Sequence, residues 1–209
     1  MTIAAASKKE ESSPVARHIA RAAARLFAER GYDATSVREI VEAAGVAKPT
    51  LYYYFRSKEG LAQALITVPL SNLTATLQRI VSQVEDPITC LEQVVDAQYN
   101  FCREDPDRGR FIYALLFGPL GSEVASELEP FKESLSGWTD AAVRRLAEVQ
   151  IVPRHRAEAC STACRGLIII STLDYLYRDK PLGRDLARHN VNDLLRGFGD
   201  SRYTKELES

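Results

Sequence analysis

The sequence predicts an all-α protein: a small N-terminal head of three helices followed by a larger helical body. Three observations carry this. No stretch alternates apolar and polar residues with the period of two that a half-buried strand requires. Apolar residues recur instead at three- and four-residue spacing along most of the chain. Proline and glycine pairs (Ser13-Pro14, Asp86-Pro87, Asp105-Pro106, Gly118-Pro119) fall between the periodic segments, where helices start and stop.

In the head, Ser13-Pro14 predicts a capped start, Ile19, Ala23, Leu26 and Phe27 share one face, and Gly31 ends the helix. Ser36 and Glu39 have the spacing of a capping box and open a short second helix that buries Val37, Ile40 and Val41. Ala44-Gly45-Val46 is a tight turn in which the glycine is able to take a positive φ. A third short helix carries Tyr52, Tyr53, Tyr54 and Phe55. Pro49 disfavours helical geometry in the residue before it, so the third helix is expected to begin at Pro49 with Lys48 as an extended cap.

In the body, a long helix from Ser57 is expected to be kinked or divided at Pro69. A helix from Asp86-Pro87 to Asp105 follows, then a short apolar one over Phe111–Phe117. A helix from Ser122 to about Gln150 is expected to bend at Pro130. Residues 154–178 and 184–198 form the last two. The domain reading is a flexible tail over 1–12, a head over 13–60, a body over 61–200 and a C-terminal tail over 201–209.

The 209 residues are 45% hydrophobic and 26% charged, with a formal net charge of −1, ordinary values for a globular protein. The balance is uneven. Residues 1–60 hold 10 Lys/Arg against 7 Asp/Glu, and the remainder holds 17 against 21. A basic head on a mildly acidic body favours an anionic partner for the head. The N-terminus carries lysines and glutamates where a signal peptide needs an apolar run, and no segment reaches the ~18 apolar residues of a membrane span. Four cysteines (90, 102, 160 and 164) do not make a disulfide scaffold in a chain of this length. The expectation is a cytoplasmic protein.

The aromatic run defines the candidate site. At about 100° per residue, Leu51 and Phe55 share the core face of the third helix. Lys48, Pro49, Thr50, Tyr52 and Tyr53 then face outward. Hydroxyls and an ammonium donate to phosphate oxygens, and threonine methyls or ring faces contact thymine methyls in the major groove. Tyr54 is read as packing on a neighbouring helix. A short helix, a glycine turn and a second short helix with an exposed polar-aromatic face make a helix-turn-helix.

Residues 14–60 resemble the DNA-binding region of the tetracycline-repressor (TetR) family, on the segment LFAERGYDATSVREIVEAAGVAKPTLYYYFRSKEGL, 26–61. The resemblance implies DNA contacts at Lys48, Thr50, Tyr52 and Tyr53 of the recognition helix, phosphate contacts at Thr35, Ser36 and Arg38, and a further one at Lys58. Pro49 departs from the family's common glycine, Ala47 from its serine and Tyr54 from its histidine. Residues 62–209 resemble the family only in being all-helical, of similar length and with two long final helices. The resemblance further implies a homodimer on a palindromic, double-stranded operator. Ala159, Ala163 and Gly166, together with Leu186, Leu194, Leu195 and Phe198, are the expected dimer surface. Completion of the monomer core is the other reading of those residues.

Tyr99, Phe101, Tyr113, Phe117, Phe131 and Trp138 are the expected lining of an apolar pocket for a small-molecule effector, with plain core packing as the alternative. No metal or cofactor is expected. Cys160, Cys164 and His155 lack the second ligand pair of a zinc site. Catalysis has no motif to carry it: histidines 18, 155 and 189 are scattered, and no phosphate loop or nucleophile elbow occurs. The expected function is ligand-relieved transcriptional repression. The alternatives are a helical carrier or enzyme without DNA binding, and a regulator that senses another protein.

Overall fold

The computed structural model describes residues 13–118 and 123–198, and all regular structure among them is helical. Helix α1 (Pro14–Arg30) begins as expected, with the Val15 N–H donating to the Ser13 hydroxyl oxygen and proline at the first helical position. It ends at Gly31, φ 87°. Helix α2 (Val37–Ala43) has the full capping box: Glu39 N–H donates to the Ser36 hydroxyl, and Ser36 N–H donates to the Glu39 carboxylate at 2.8 Å. Gly45 supplies the positive φ of 59° in the turn.

Helix α3 runs Lys48–Phe55, one residue earlier than expected. The extended cap is Ala47 (φ −77°, ψ 147°), and Pro49 stands in the first turn. The first-turn N–H groups have no partner within the helix, so proline loses nothing there. Helix α4 (Lys58–Gln83) passes through Pro69 undivided. Helix α5 is Pro87–Glu104.

Helix α6 starts at Pro106, not Phe111, because Arg108 N–H donates to the Asp105 side chain at 3.0 Å and proline again holds the first position; it ends at Phe117. The single helix expected over 122–150 is broken into α7 (Glu123–Ser126) and α8 (Glu129–Glu148), with Pro130 in the first turn of α8 rather than at a bend. A 3-10 turn, Arg154–Arg156, leads into α9 (Ala157–Tyr177), and α10 is Leu186–Phe198. No helix among the described residues is long and apolar enough to cross a membrane.

Two compact units result, one from residues up to Leu70 with 105–129, the other from 71–104 with the residues from 130 on. The division at residue 60 read from the sequence thus falls inside α4. The first unit reaches past it because α6 closes the core of the head: Phe111 meets Phe27 at 5.0 Å between ring centres, and Gln63 donates to Glu127 at 3.3 Å. Ile19, Ile40, Leu51 and Leu61 are fully buried in this unit. In the second unit α5, α9 and α10 surround Tyr99, also fully buried. The expected tails, 1–12 and 201–209, lie outside the described residues.

Candidate functional site

The buried face of α3 fixes its exposed face. Leu51 and Phe55 are in the core, so Lys48, Pro49, Tyr52 and Tyr53 turn outward, Tyr53 being 64% exposed; Thr50 is half-buried. The Lys48 ammonium lies 5.7 Å from the centre of the Tyr52 ring, which gathers charge and aromatic surface at one end of the helix. Tyr54 turns inward as expected of it. Its hydroxyl shares a hydrogen bond of 3.1 Å with the Ser13 hydroxyl at the start of α1, and its ring meets Tyr53 edge-on at 5.0 Å.

The expected phosphate contacts differ among themselves. Arg38 is highly exposed and pairs with Glu42 at 2.7 Å, one turn along α2; so exposed a pair is easily exchanged for another anion. The Ser36 hydroxyl donates to Glu39 at 2.7 Å, which commits its proton to the capping box. The backbone N–H of Ser36 holds the Glu39 carboxyl below the usual carboxylate range, with help from the Ser36 hydroxyl and Arg30.

Thr35 corrects its expectation. It is 1% exposed and its hydroxyl donates to the Gly31 carbonyl at 2.8 Å. The last carbonyls of α1 need donors, and this side chain supplies one, so it does not face outward. Lys58 is tied as well, its ammonium donating to the carbonyls of Tyr32 (2.9 Å) and Thr35 (3.0 Å). Ser36, Tyr52, Ser57 and Lys58 nevertheless border one open hollow of about 450 Å³, with Asp33 and Glu59 also on its edge.

Three further features of this unit lie outside the expected site. Arg17, Arg21 and Arg25 lie exposed at four-residue intervals along α1, with Glu29 one turn beyond. Arg56, directly after α3, has φ 65° and ψ −37°. Tyr54 and Ser13, 41 residues apart, meet only in the fold.

In the second unit the helix levels follow from side-chain contacts. Arg145 donates to the carbonyls of Val81 (2.9 Å) and Glu85 (2.7 Å) and faces Cys90. Gln98 donates to Thr139 at 3.3 Å. So α8 runs antiparallel to α5, and α5 returns alongside α4 after a short connection. Trp138 and Thr74 both lie seven residues before that anchor, on parallel helices, and hence at one level. Asn190 donates to the Tyr99 and Ser171 hydroxyls at 2.8 and 3.2 Å, which brings Thr172 to the level of Tyr99. The hydroxyls of Thr74 and Thr172 and the indole N–H of Trp138 are all buried without a hydrogen-bond partner.

The aromatic residues expected around an effector do not gather in one unit. Tyr113 and Phe117 belong to α6 in the first, and Phe117 is 59% exposed; Tyr99, Phe101, Phe131 and Trp138 belong to the second. Tyr99 and Phe101 are core residues there. Cys160 and Cys164 are buried, and among the described residues no three His, Cys, Asp or Glu side chains are grouped to hold a metal.

Of the expected dimer surface, Ala163, Gly166, Leu194 and Phe198 border one shallow apolar hollow with Leu167 and Ile170, which the sequence reading missed. Leu194 itself is 6% exposed. Ala159, Leu186 and Leu195 lie outside that hollow.

A family model described as bacterial regulatory proteins, tetR family, matches residues 19–65. The chain is 28% identical over 166 residues to the HTH-type transcriptional activator FasR of Mycolicibacterium smegmatis, covering 79% of this chain and 74% of that one. It is 40% identical over 78 residues to the HTH-type transcriptional repressor KstR2 of Rhodococcus jostii, where the match spans 37% of this chain and 38% of the relative. Among solved structures, the ketosteroid transcriptional regulator KstR2 of Mycobacterium tuberculosis superposes with a TM-score of 0.72 at 22% identity, over 90% of this chain and 96% of the other. FadR of Bacillus subtilis, in complex with stearoyl-CoA, superposes with a TM-score of 0.68 at 18% identity, over 87% and 98%. At these identities the superpositions speak for the fold.

Proposed function

Because this chain belongs to the tetR family of bacterial regulatory proteins, we propose that it is a cytoplasmic, non-enzymatic regulator that reads a palindromic operator as a homodimer and leaves it on binding a lipid-like effector. The observation that carries the DNA reading is the two-faced α3. Leu51 and Phe55 fix the helix in the core, and that turns Lys48, Pro49, Tyr52 and Tyr53 to the exposed side of α3. Rings and an ammonium on a rigid short helix suit base edges and phosphates together. The high exposure of Arg38 at the start of α2 supports a contact with a flanking phosphate. Lys58 has one donor beyond the two it spends on carbonyls.

Dimerisation is supported by the exposed apolar side chains of α9, with Ile170 57% exposed beside the close-approach position Gly166. The effector reading is supported by the polar level in the second unit. Three buried polar groups without hydrogen-bond partners suit a ligand with few, well-placed polar atoms. Two regulators of the same fold, one of ketosteroids and one in complex with stearoyl-CoA, make a steroid or fatty-acyl compound the class to test first. Helix α4 contributes to both units and is the connector through which effector binding would bias the spacing of two DNA-reading heads.

Selection of bound DNA from a random pool tests this reading. The expected product is a palindrome whose half-site centres are about 34–36 Å apart, or a multiple of that. Lys48→Ala binds it more weakly, and stearoyl-CoA or a ketosteroid releases the wild type while changing Trp138 emission. No enriched sequence at moderate salt would return the carrier reading to the front.

A further inference from the structure

We propose that Arg56 binds a DNA phosphate, and that the head keeps a strained turn for the sake of this side chain. The inference rests on the DNA-binding reading above. Arg56 joins α3 to α4 with φ 65° and ψ −37°, and the Ser57 N–H donates to the Phe55 carbonyl at 2.7 Å, closing a three-residue turn around it. This geometry is rare and strained for a residue with a Cβ. The head has three described positions with positive φ, and the other two, Gly31 and Gly45, are glycine.

The turn has little room to relax. Phe55 before it and Leu61 after it are both in the core, and a Cβ built at Gly60 would stand 2.2 Å from the Phe55 carbonyl oxygen. Whatever residue occupies position 56 must therefore take this conformation, and glycine would take it without strain. The sequence places an arginine there instead.

The arginine has no occupation within the head. Arg30 and Arg38 are tied to Glu39 and Glu42 at 2.7 Å, while Arg56 is exposed and its guanidinium enters no hydrogen bond or ion pair among the described residues. It stands one turn beyond Tyr52 and Tyr53 and two residues before Lys58, between the outward face of α3 and the hollow beside α4. A guanidinium there offers planar, paired N–H donors that match phosphate oxygens. The bond is to the DNA backbone, so it adds affinity without sequence preference.

The test uses the full chain on its selected operator, over a salt series, with Arg56→Gly, Arg56→Ala and Arg56→Lys. The plot of log affinity against log salt is expected to flatten by about 0.9 for each phosphate no longer neutralised in the glycine and alanine variants, and to keep its slope in the lysine variant. Affinity falls alike on operator and on mismatched DNA. The glycine variant melts above the wild type while binding more weakly, a pairing of signs that a mere turn residue would not produce. Unchanged slopes in both the glycine and alanine variants overturn the inference, whatever happens to melting. A wild type that binds no DNA overturns the parent reading with it; a wild type that binds with the variants' slope overturns this inference alone.

Discussion

The Lys58 ammonium lies 4.1 Å from the centre of the Tyr32 ring and donates to the carbonyl oxygen of the same residue at 2.9 Å. A second bond goes to the Thr35 carbonyl. The lysine thus ties the start of α4 to the loop between α1 and α2. Lys58→Ala is expected to cost about 1–3 kcal/mol of stability, the range for removing a charged hydrogen bond at a part-buried site. Thermal melting of the DNA-free protein checks this. An unchanged midpoint would mean that the lysine serves DNA alone.

Tyr54 and Ser13 form a second tie, between α3 and the N-terminus of α1. Tyr54→Phe and Ser13→Ala should each destabilise by roughly 0.5–1.5 kcal/mol, and the double variant by less than their sum. Ser13→Ala also loses a helix cap, so its single effect is the larger. Strict additivity in the cycle would show that the two hydroxyls do not act on one another.

The head is legible where the signal is local. The Ser36–Glu39 box, the glycines at 31 and 45 and the four-residue repeat of Leu51 and Phe55 are short-range devices, and each stands where the spacing puts it. Three of the departures share a cause. Spacing alone makes Pro49, Pro106 and Pro130 limits or bends, but all three occupy first turns, where the missing N–H costs nothing. The family resemblance puts Thr35 beside a phosphate, and only the fold supplies the Gly31 carbonyl that turns its hydroxyl in. The α6 helix joins the head through Phe111 against Phe27, 84 positions apart, a pairing no periodicity encodes.

Ile170→Glu tests the apolar face of α9. At a two-fold interface the substitution meets its own copy, placing two carboxylates in an apolar surface. Sedimentation should report a monomer at concentrations where the wild type is a dimer, with melting of the monomer fold little changed because Ile170 is 57% exposed. A variant that sediments as the wild type does would place the dimer surface elsewhere.

The pH profile should fall at both ends. Glu39 has its carboxyl held below the usual value of 4.5, so its contribution is complete above that value and is lost as the pH falls through the lower folded value. Glu39→Gln should flatten the acid limb. Burial pushes the Cys160 and Cys164 thiols from 9.0 up to about 11 and about 12. Their contribution is complete below 9 and is lost as the unfolded thiols ionise between about 9 and 12, since the unfolded chain then releases protons the folded one keeps. The double variant Cys160→Ala, Cys164→Ala should show a shallower alkaline limb in denaturant titrations, and native thiols should resist alkylation at pH 7–8.

The buried hydroxyl of Thr172 offers the sharpest separation of packing from recognition. The side chain is 0% exposed and its oxygen has no partner. Thr172→Val keeps the shape and removes the orphaned group, so stability should hold or rise by up to about 1–3 kcal/mol, the desolvation penalty of an unpaired polar group. An effector that satisfies this hydroxyl should then bind the valine variant less tightly, with Trp138 emission as the reporter at the same level of the bundle. Loss of stability instead would mean that the hydroxyl is already satisfied within the fold and that the polar level has no need of a ligand.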